Sequence, residues 1–207
     1  AMGELMATTL GAAYMQSQGI DTEWQDAREC LCSDDNLGAS ERASFLSATC
    51  TYAPDQHLQA RLAGVKGVPL TQGFIARNSR GETVLLGRGG SDTSAAYIAG
   101  RLQAYRLEIW TDVPGMFSAD PRAVPGARLL RALRYDEAQE IASTGGSVLH
   151  PRSISPARRA GIPLWIKCTS RPEHPGTVIS QDSGDDAPRV KAISRRGGIT
   201  LVSMETL

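Results

Sequence analysis

Apolar and polar positions alternate so as to divide the chain into short helices and strands. Over residues 3–18, Leu5, Thr9, Ala12, Ala13 and Met15 fall along one side of a helix, and Gly19 marks its stop. A short strand over 22–26 precedes a polar stretch, ending at Ser40, that has no clear period. Pro54 introduces a helix over 55–62. Residues 68–76 and 83–86 read as strands, and Asn78-Ser79-Arg80-Gly81 between them has hairpin-turn chemistry. The strongest local pattern follows: a strand ends in Gly87-Arg88-Gly89-Gly90, and Ser91 or Asp92 caps a helix running to about residue 104. A strand over 106–111 leads into a loop rich in Pro and Gly over 112–128. Helices over 136–143 and 151–160 and a strand over 163–169 complete the pattern, with Pro151 in a first helical turn and Gly161 just past an end. Strand and helix alternate, which predicts an α/β fold whose open sheet is largely parallel and covered on both faces.

The tail changes character. Residues 181–188, Gln181-Asp182-Ser183-Gly184-Asp185-Asp186-Ala187-Pro188, have the composition of a linker. Beyond them, 190–194 and 199–203 are strand-like runs separated by Arg195-Arg196-Gly197-Gly198. A piece that short cannot bury a core, so it reads as the opening of a second domain. The expected organisation is a main domain over 3–180, a linker over 181–188 and a truncated second domain over 189–207.

Composition narrows the function classes. The 207 residues carry 22 basic and 22 acidic side chains, for a formal net charge of +0. Such a chain has no long-range pull toward nucleic acid or an anionic membrane. Its longest unbroken apolar run, Ala95-Ala96-Tyr97-Ile98-Ala99, is far too short to span a bilayer, and no secretory signal is expected from its opening. Cys30, Cys32, Cys50 and Cys168 have no framework spacing and are expected to be reduced thiols of a cytoplasmic protein. Only Lys66, Lys167 and Lys191 are lysines, which matters because phosphate chemistry often needs a lysine at a set place.

Two segments could carry chemistry. In Gly87-Arg88-Gly89-Gly90-Ser91-Asp92, three glycines let backbone amides approach an anion, and a helix N-terminus adds positive potential. Arg88 offers a fork for carboxylate or phosphate. The ordinary alternative is a tight strand-to-helix turn. There is no Gly-Lys pair for a Walker A loop, and the glycine spacing is not the dinucleotide fingerprint. Trp110-Thr111-Asp112-Val113-Pro114-Gly115-Met116-Phe117 follows a strand, where ligands sit in open α/β sheets. There Thr111 and Asp112 can hydrogen-bond a purine or ribose, Phe117 supplies a flat face, and Arg122 can reach a phosphate; the alternative is a structural loop. Glu4 near a helix start is ordinarily only favourable dipole chemistry. His57, His150 and His174 lack ligand spacing, and Cys30-x-Cys32 has no second pair, so no metal site is expected.

Taken together, Gly3-Glu4-Leu5-Met6, Thr71-Gln72-Gly73-Phe74-Ile75, Leu86-Gly87-Arg88-Gly89-Gly90-Ser91-Asp92, Trp110-Thr111-Asp112-Val113-Pro114-Gly115, Asp120-Pro121-Arg122 and Val148-Leu149-His150-Pro151 resemble aspartokinase in order and spacing. The resemblance runs from Gly3 to Ser180, and the tail from Arg189 resembles the opening of that family's ACT regulatory domain. It implies the three-layer αβα amino-acid-kinase fold, incomplete at its N-terminus here. It also implies transfer of the ATP γ-phosphate to the side-chain carboxylate of L-aspartate, the first step toward lysine, threonine and methionine. MgATP would be a co-substrate, with no tightly bound cofactor. Glu4, Phe74, Arg88, Ser91 and Asp92 match aspartate-binding positions, Arg88 and Asp92 being the catalytic pair. Arg88 would hold a substrate carboxylate, Glu4 the amino group, and Asp92 would orient groups around the transferring phosphoryl. Thr111, Asp112, Phe117 and Arg122 match nucleotide-binding positions, with Phe117 where the family commonly has tyrosine.

Three departures qualify that resemblance. The family's Lys-Phe-Gly-Gly motif is absent, Ser147 stands where a lysine reaches the ATP phosphates, and the ACT piece stops after about twenty residues. Phosphoryl transfer depends on positioning and charge, and losing one such donor costs on the order of 10²- to 10³-fold in rate. The chain is therefore expected to be an inactive fragment of an aspartate kinase. The alternative is a non-catalytic nucleotide- or amino-acid-binding or regulatory remnant, which Ser147 favours; another amino-acid kinase, for glutamate or uridylate, fits the paired motifs less well. Its partners would be L-aspartate and ATP, and a feedback amino acid would act only on the intact parent. That parent is expected to be a homo-oligomer fused to another lysine-pathway enzyme, and the fragment a monomer or weak dimer.

Overall fold

The computed structural model describes residues 1–35, 38, 40–145, 148–182, 190–195 and 198. The chain opens on α1 (Met2–Ser17), which stops before Gly19 at φ 77°. This helix packs on a parallel pair, β1 (Thr22–Gln25) and β2 (Val68–Thr71), in which Trp24 lies opposite Leu70. Its inner side is formed by Leu5, Thr8, Gly11, Ala12 and Met15, whereas Thr9 and Ala13 are exposed. The helix is rotated from the expected face because Thr8 is claimed by a buried network. Thr8 Oγ1 accepts from Trp24 Nε1 at 3.0 Å and from Gln72 Nε2 at 2.8 Å, and Gln72 Oε1 accepts from Ala27 N at 2.9 Å. A buried glutamine amide is thereby satisfied at both ends.

The stretch without a period holds one short helix, α2 (Ala27–Cys30), and a second, α3 (Glu41–Leu46), follows directly after that stretch. Each starts on a side-chain cap: Asp26 Oδ1 accepts from Arg28 N at 2.9 Å, and Ser40 Oγ from Ala43 N at 3.2 Å. Then α4 (Gln56–Ala63) begins where Asp55 Oδ1 takes the amides of His57 and Leu58 at 2.9 and 3.0 Å.

The strand expected over 68–76 is two strands. After β2 the chain turns through Gln72-Gly73-Phe74 before β3 (Ile75–Arg77). Phe74 has φ 72°, a region that side chains other than glycine rarely enter. Its amide donates to Ser94 Oγ at 3.2 Å, and a Cβ on Gly73 would lie 2.9 Å from Ser91 Cβ. Contact with a helix further along the chain breaks the strand. β3 pairs antiparallel with β4 (Thr83–Leu85) across a turn in which Asn78 Oδ1 accepts from Arg80 N and Glu82 N at 3.0 and 2.9 Å.

The remaining elements are α5 (Gly90–Leu102), β5 (Leu107–Thr111), β6 (Ala132–Leu133), α6 (Tyr135–Thr144), α7 (Pro151–Ala160), β7 (Leu164–Cys168) and β8 (Thr177–Ile179). They build a sheet ordered β5-β7-β8-β6, parallel for β5/β7 and β6/β8 and antiparallel for β7/β8. With β1/β2 the pairing is mostly parallel, as the alternation of strand and helix requires. β6 and β8 have two and three residues, too few for a readable alternation. Ile109, Leu164, Ile166 and Ile179 form one core with Ile154 and Ala157 of α7. A second core gathers Leu31, Leu58, Val84 and Leu86 against Tyr97 of α5.

Residues 190–195 are irregular, not the strand expected over 190–194. They lie against the main body: Ile193 N donates to Ser118 O at 2.8 Å, Ser194 Oγ to Thr144 Oγ1 at 2.7 Å, and Lys191 pairs with Glu137. Among the described residues no strand pairs with them, and one backbone bond and two side-chain tethers hold them instead. The run at 199–203, most of the linker and Ser147 fall outside the described residues. Among the described residues no helix is long and apolar enough to cross a membrane.

Candidate functional site

The Gly-rich turn owes its shape to its neighbours. Gly89 is the N-cap of α5 and sits at φ 67°, in the left-handed region. A Cβ there would overlap Cβ and Cγ of His150, and one on Gly90 would overlap Phe74 Cδ2. Only a chain without side chains passes between these two rings. The expected capping by Ser91 or Asp92 does not occur: the helix begins at Gly90, its cap is Gly89, and no side-chain capping bond is made there among the described residues. Both residues lie in the first turn, so the amides there and the positive end of the helix dipole are left available to an anion.

Glu4, Phe74, Arg88, Ser91 and Asp92 line one open cleft of about 350 Å³ together with Gly87, Gly89 and Gly90. They arrive from three places: Glu4 from the first turn of α1, Phe74 from the break between β2 and β3, and the rest from the start of α5. One fork-shaped cation, two carboxylates and a helix N-terminus therefore face the same space.

Two residues without an assigned role in the sequence reading support this cleft. Arg152, in the first turn of α7, donates to Leu86 O at 2.6 Å, Ala48 O at 2.9 Å and Ser47 Oγ at 3.3 Å, bracing the strand end behind Gly87. His150 caps α7 by accepting Arg152 N on Nδ1 at 3.3 Å. The visible clue to both is Pro151, a first-turn proline that fixes where the helix begins.

Burial pushes the Asp92 carboxyl above its ordinary value of 3.8, against the pull of the His150 amide and imidazole. Burial and the Arg152 charge push the His150 imidazole down, against the pull of Asp92. A neutral ring is also what its capping bond to Arg152 N requires, since Nδ1 must accept. The raised carboxyl has a consequence for stability. Its contribution is fully present below the ordinary carboxylate range and is lost as pH rises through the raised value. Asp92→Asn, which cannot ionise, is expected to raise the thermal midpoint at pH 7 and leave it nearly unchanged at pH 3. Scanning calorimetry at the two pH values checks this, and equal shifts at both would assign the effect to packing instead.

The second predicted group does not join the cleft. Thr111 ends β5, and its carbonyl accepts from Thr169 N at 2.9 Å and Thr169 Oγ1 at 3.1 Å, while its hydroxyl donates to Asp112 Oδ1 at 3.0 Å. Phe117 is half-buried and bridges to Leu129, and Arg122 is exposed on a turn in which its amide donates to Asp120 Oδ1 at 2.9 Å. Thr111 stands at the carboxyl end of β5 and the other three follow it, at the ligand-bearing end of a parallel sheet. A larger hollow of about 810 Å³ lies elsewhere, walled by Asp34, Asp35, Glu41, Ser79 and Arg80 among others. Its polar walls bond one another, as Ser79 Oγ does to Asp35 Oδ1 at 2.9 Å, and no opposed charges meet an uncapped helix start there. The candidate site is therefore the smaller cleft. Among the described residues no group of three or more His, Cys, Asp or Glu is arranged to hold a metal ion.

Residues 1–168 match the amino acid kinase family, and the chain belongs to it. Within that family its similarity is to aspartokinases. Lysine-sensitive aspartokinase 3 of Escherichia coli is 34% identical over 99% of this chain and 44% of its own length. Bifunctional aspartokinase/homoserine dehydrogenase 2 of the same organism is 40% identical over 86% of this chain and 21% of its own. The crystal structure of E. coli aspartokinase III in complex with aspartate and ADP superposes with a TM-score of 0.74 at 34% identity, covering 88% of this chain and 40% of that one. The chain thus spans less than half the length of each of these aspartokinases.

Proposed function

We propose that this chain is the part of an aspartate kinase that binds L-aspartate and one side of the nucleotide. The observation that carries the reading is the convergence of Arg88, Glu4 and Asp92 on the uncapped start of α5. A zwitterionic dicarboxylate fits this set: the Arg88 fork takes a carboxylate in bidentate fashion, and Glu4 pairs with the ammonium. Ser91 and the free amides of α5 hold the second carboxylate, with Phe74 as an apolar wall. In the reaction, an oxygen of that carboxylate bonds to the γ-phosphorus as the bond to the β,γ-bridging oxygen breaks, and ADP leaves. Asp92 orients the groups around this transfer. Thr111 and Asp112 hold the nucleoside, Phe117 stacks on it, and Arg122 meets its phosphates. Mg²⁺ arrives with ATP as part of that substrate.

Residues 3–180 are the kinase part, 181–188 the linker and 189–207 the opening of an ACT domain, through which a feedback amino acid acts in the intact parent. The cytoplasm is the proposed location, and fusion to another lysine-pathway enzyme the proposed context. The 207 residues contain no Lys-Phe-Gly-Gly segment and have Ser147 where the resemblance to aspartokinase implies a lysine. Two missing phosphate cations, each worth on the order of 10²- to 10³-fold, leave no measurable turnover. The expected result is a folded circular-dichroism spectrum and no aspartyl phosphate, trapped as the hydroxamate, from L-aspartate and MgATP. Turnover near that of an intact kinase would sink the reading of an inactive fragment. Ser147 favours a second reading, a remnant that binds ligands and never catalyses. A longer chain that includes a Lys-Phe-Gly-Gly segment decides between them by whether it turns over.

A further inference from the structure

Two of the groups that line the cleft stand on segments with little of their own to hold them. Glu4 lies in the first turn of α1, which has no side-chain cap bond and includes Gly3, a poor helix former. Phe74 lies in the break after β2, at φ 72°. A chain of hydrogen bonds joins the two segments. Gln72, 1% exposed and two residues before Phe74, donates from Nε2 to Thr8 Oγ1 at 2.8 Å. Thr8, one helical turn after Glu4, donates from the same Oγ1 to Glu4 O at 2.9 Å.

The groups at either end fix the direction of each bond. Ala27 N can only donate, so the oxygen of the Gln72 amide faces it, at 2.9 Å, and the nitrogen faces Thr8 and the carbonyl of Gln25, at 3.4 Å. Trp24 Nε1 and Gln72 Nε2 are both donors, and together they take the two lone pairs of the Thr8 hydroxyl. Its single proton is left for a backbone carbonyl one turn back, Glu4 O, with Leu5 O further off at 3.2 Å. A threonine bonded to the carbonyl four residues before it sets the bend of that turn.

We propose that Thr8 and Gln72 are positioning residues that set the site's preference for an amino-acid substrate over a plain dicarboxylate. Neither lines the cleft. They fix the backbone of Glu4 relative to the turn that carries Phe74, and so hold the Glu4 carboxylate where the substrate ammonium meets it. This rests on the pairing of Glu4 with that ammonium proposed above. Arg88 stands outside this chain of bonds, just before α5, so the grip on a carboxylate does not pass through Thr8.

Titration calorimetry of the 207-residue chain with L-aspartate and with succinate tests this, the ratio of the two affinities being the readout. Thr8→Val, which keeps the shape and removes the hydroxyl, is expected to lower that ratio about tenfold, mostly through L-aspartate. Thr8→Ser keeps the hydroxyl and is expected to restore the ratio to within about twofold. Gln72→Leu breaks the same chain of bonds and should lower the ratio as Thr8→Val does, with the double variant no worse than either alone. Both changes also leave buried donors unpaired and lower the thermal midpoint. Tyr135→Phe controls for that: it removes a buried bond to Ile162 O at 2.7 Å, away from the cleft, and should lower the midpoint with the ratio unchanged. A ratio indifferent to Thr8→Val overturns the proposal, as does a Thr8→Ser chain no better than Thr8→Val or an equal fall in Tyr135→Phe. Glu4→Gln separates the positioning role from the site reading. If that variant leaves the ratio unchanged, the ammonium is not held at Glu4 and both fall. If it lowers the ratio while Thr8→Val does not, only the positioning role falls.

Discussion

Arg88→Ala is expected to weaken L-aspartate binding on the order of 100-fold while leaving the thermal midpoint essentially unchanged. The side chain is exposed and lines the cleft, so its removal takes away a charge-assisted bidentate contact and little packing. Titration calorimetry with L-aspartate reads the loss directly. Arg88→Lys should recover only part of it, because an ammonium keeps the charge and gives up the planar fork. Succinate, which lacks the ammonium, separates the partners: Glu4→Gln should weaken L-aspartate binding and barely affect succinate. Affinity for L-aspartate unaltered by Arg88→Ala would mean that the carboxylate is held elsewhere, and the cleft would lose its assignment.

Gly89→Ala is expected to damage both the fold and the cleft. It adds a Cβ at φ 67° and drives it into the ring of His150. The left-handed backbone and the overlap together cost about 3 kcal/mol. For a chain of this size that lowers the thermal midpoint by roughly 6–12 °C. Aspartate binding should fall with it, since the same shift moves Arg88 and the amides of α5. A thermal midpoint within a degree of the unmodified chain would show that His150 yields freely and does not hold the turn.

Much of this architecture is legible in the residues before any coordinates. The helix after the Gly-rich turn, the Asn78 hairpin and α7 between Pro151 and Gly161 all follow from local chemistry, and the structure has them where that chemistry puts them. Two of the misreadings share a cause, which is contact between residues far apart in sequence. The strand over 68–76 breaks because Phe74 bonds Ser94, twenty residues on. The cap of α5 moved to Gly89 because His150 and Phe74 crowd the turn from either side. α2 and α3 were hidden by their shortness, although Asp26 and Ser40 advertise both starts. Periodicity alone would have left Glu4 as dipole chemistry and Phe74 as a strand residue. The resemblance of their motifs to aspartokinase is what put them beside Arg88, and the fold places them in the same cleft.

The brace at Arg152 also orders events in time. Its acceptors, Ser47, Ala48 and Leu86, lie 105, 104 and 66 residues earlier in the chain. Contacts of that separation close large loops and form late. As the chain leaves the ribosome, the Gly-rich turn is synthesised well before the residues that shape it. Until α7 emerges, residues 87–92 have neither His150 to pack against nor Arg152 behind them. The cleft is thus completed only once α7 has been made, and a nascent chain cannot engage its ligand until that stretch has folded back.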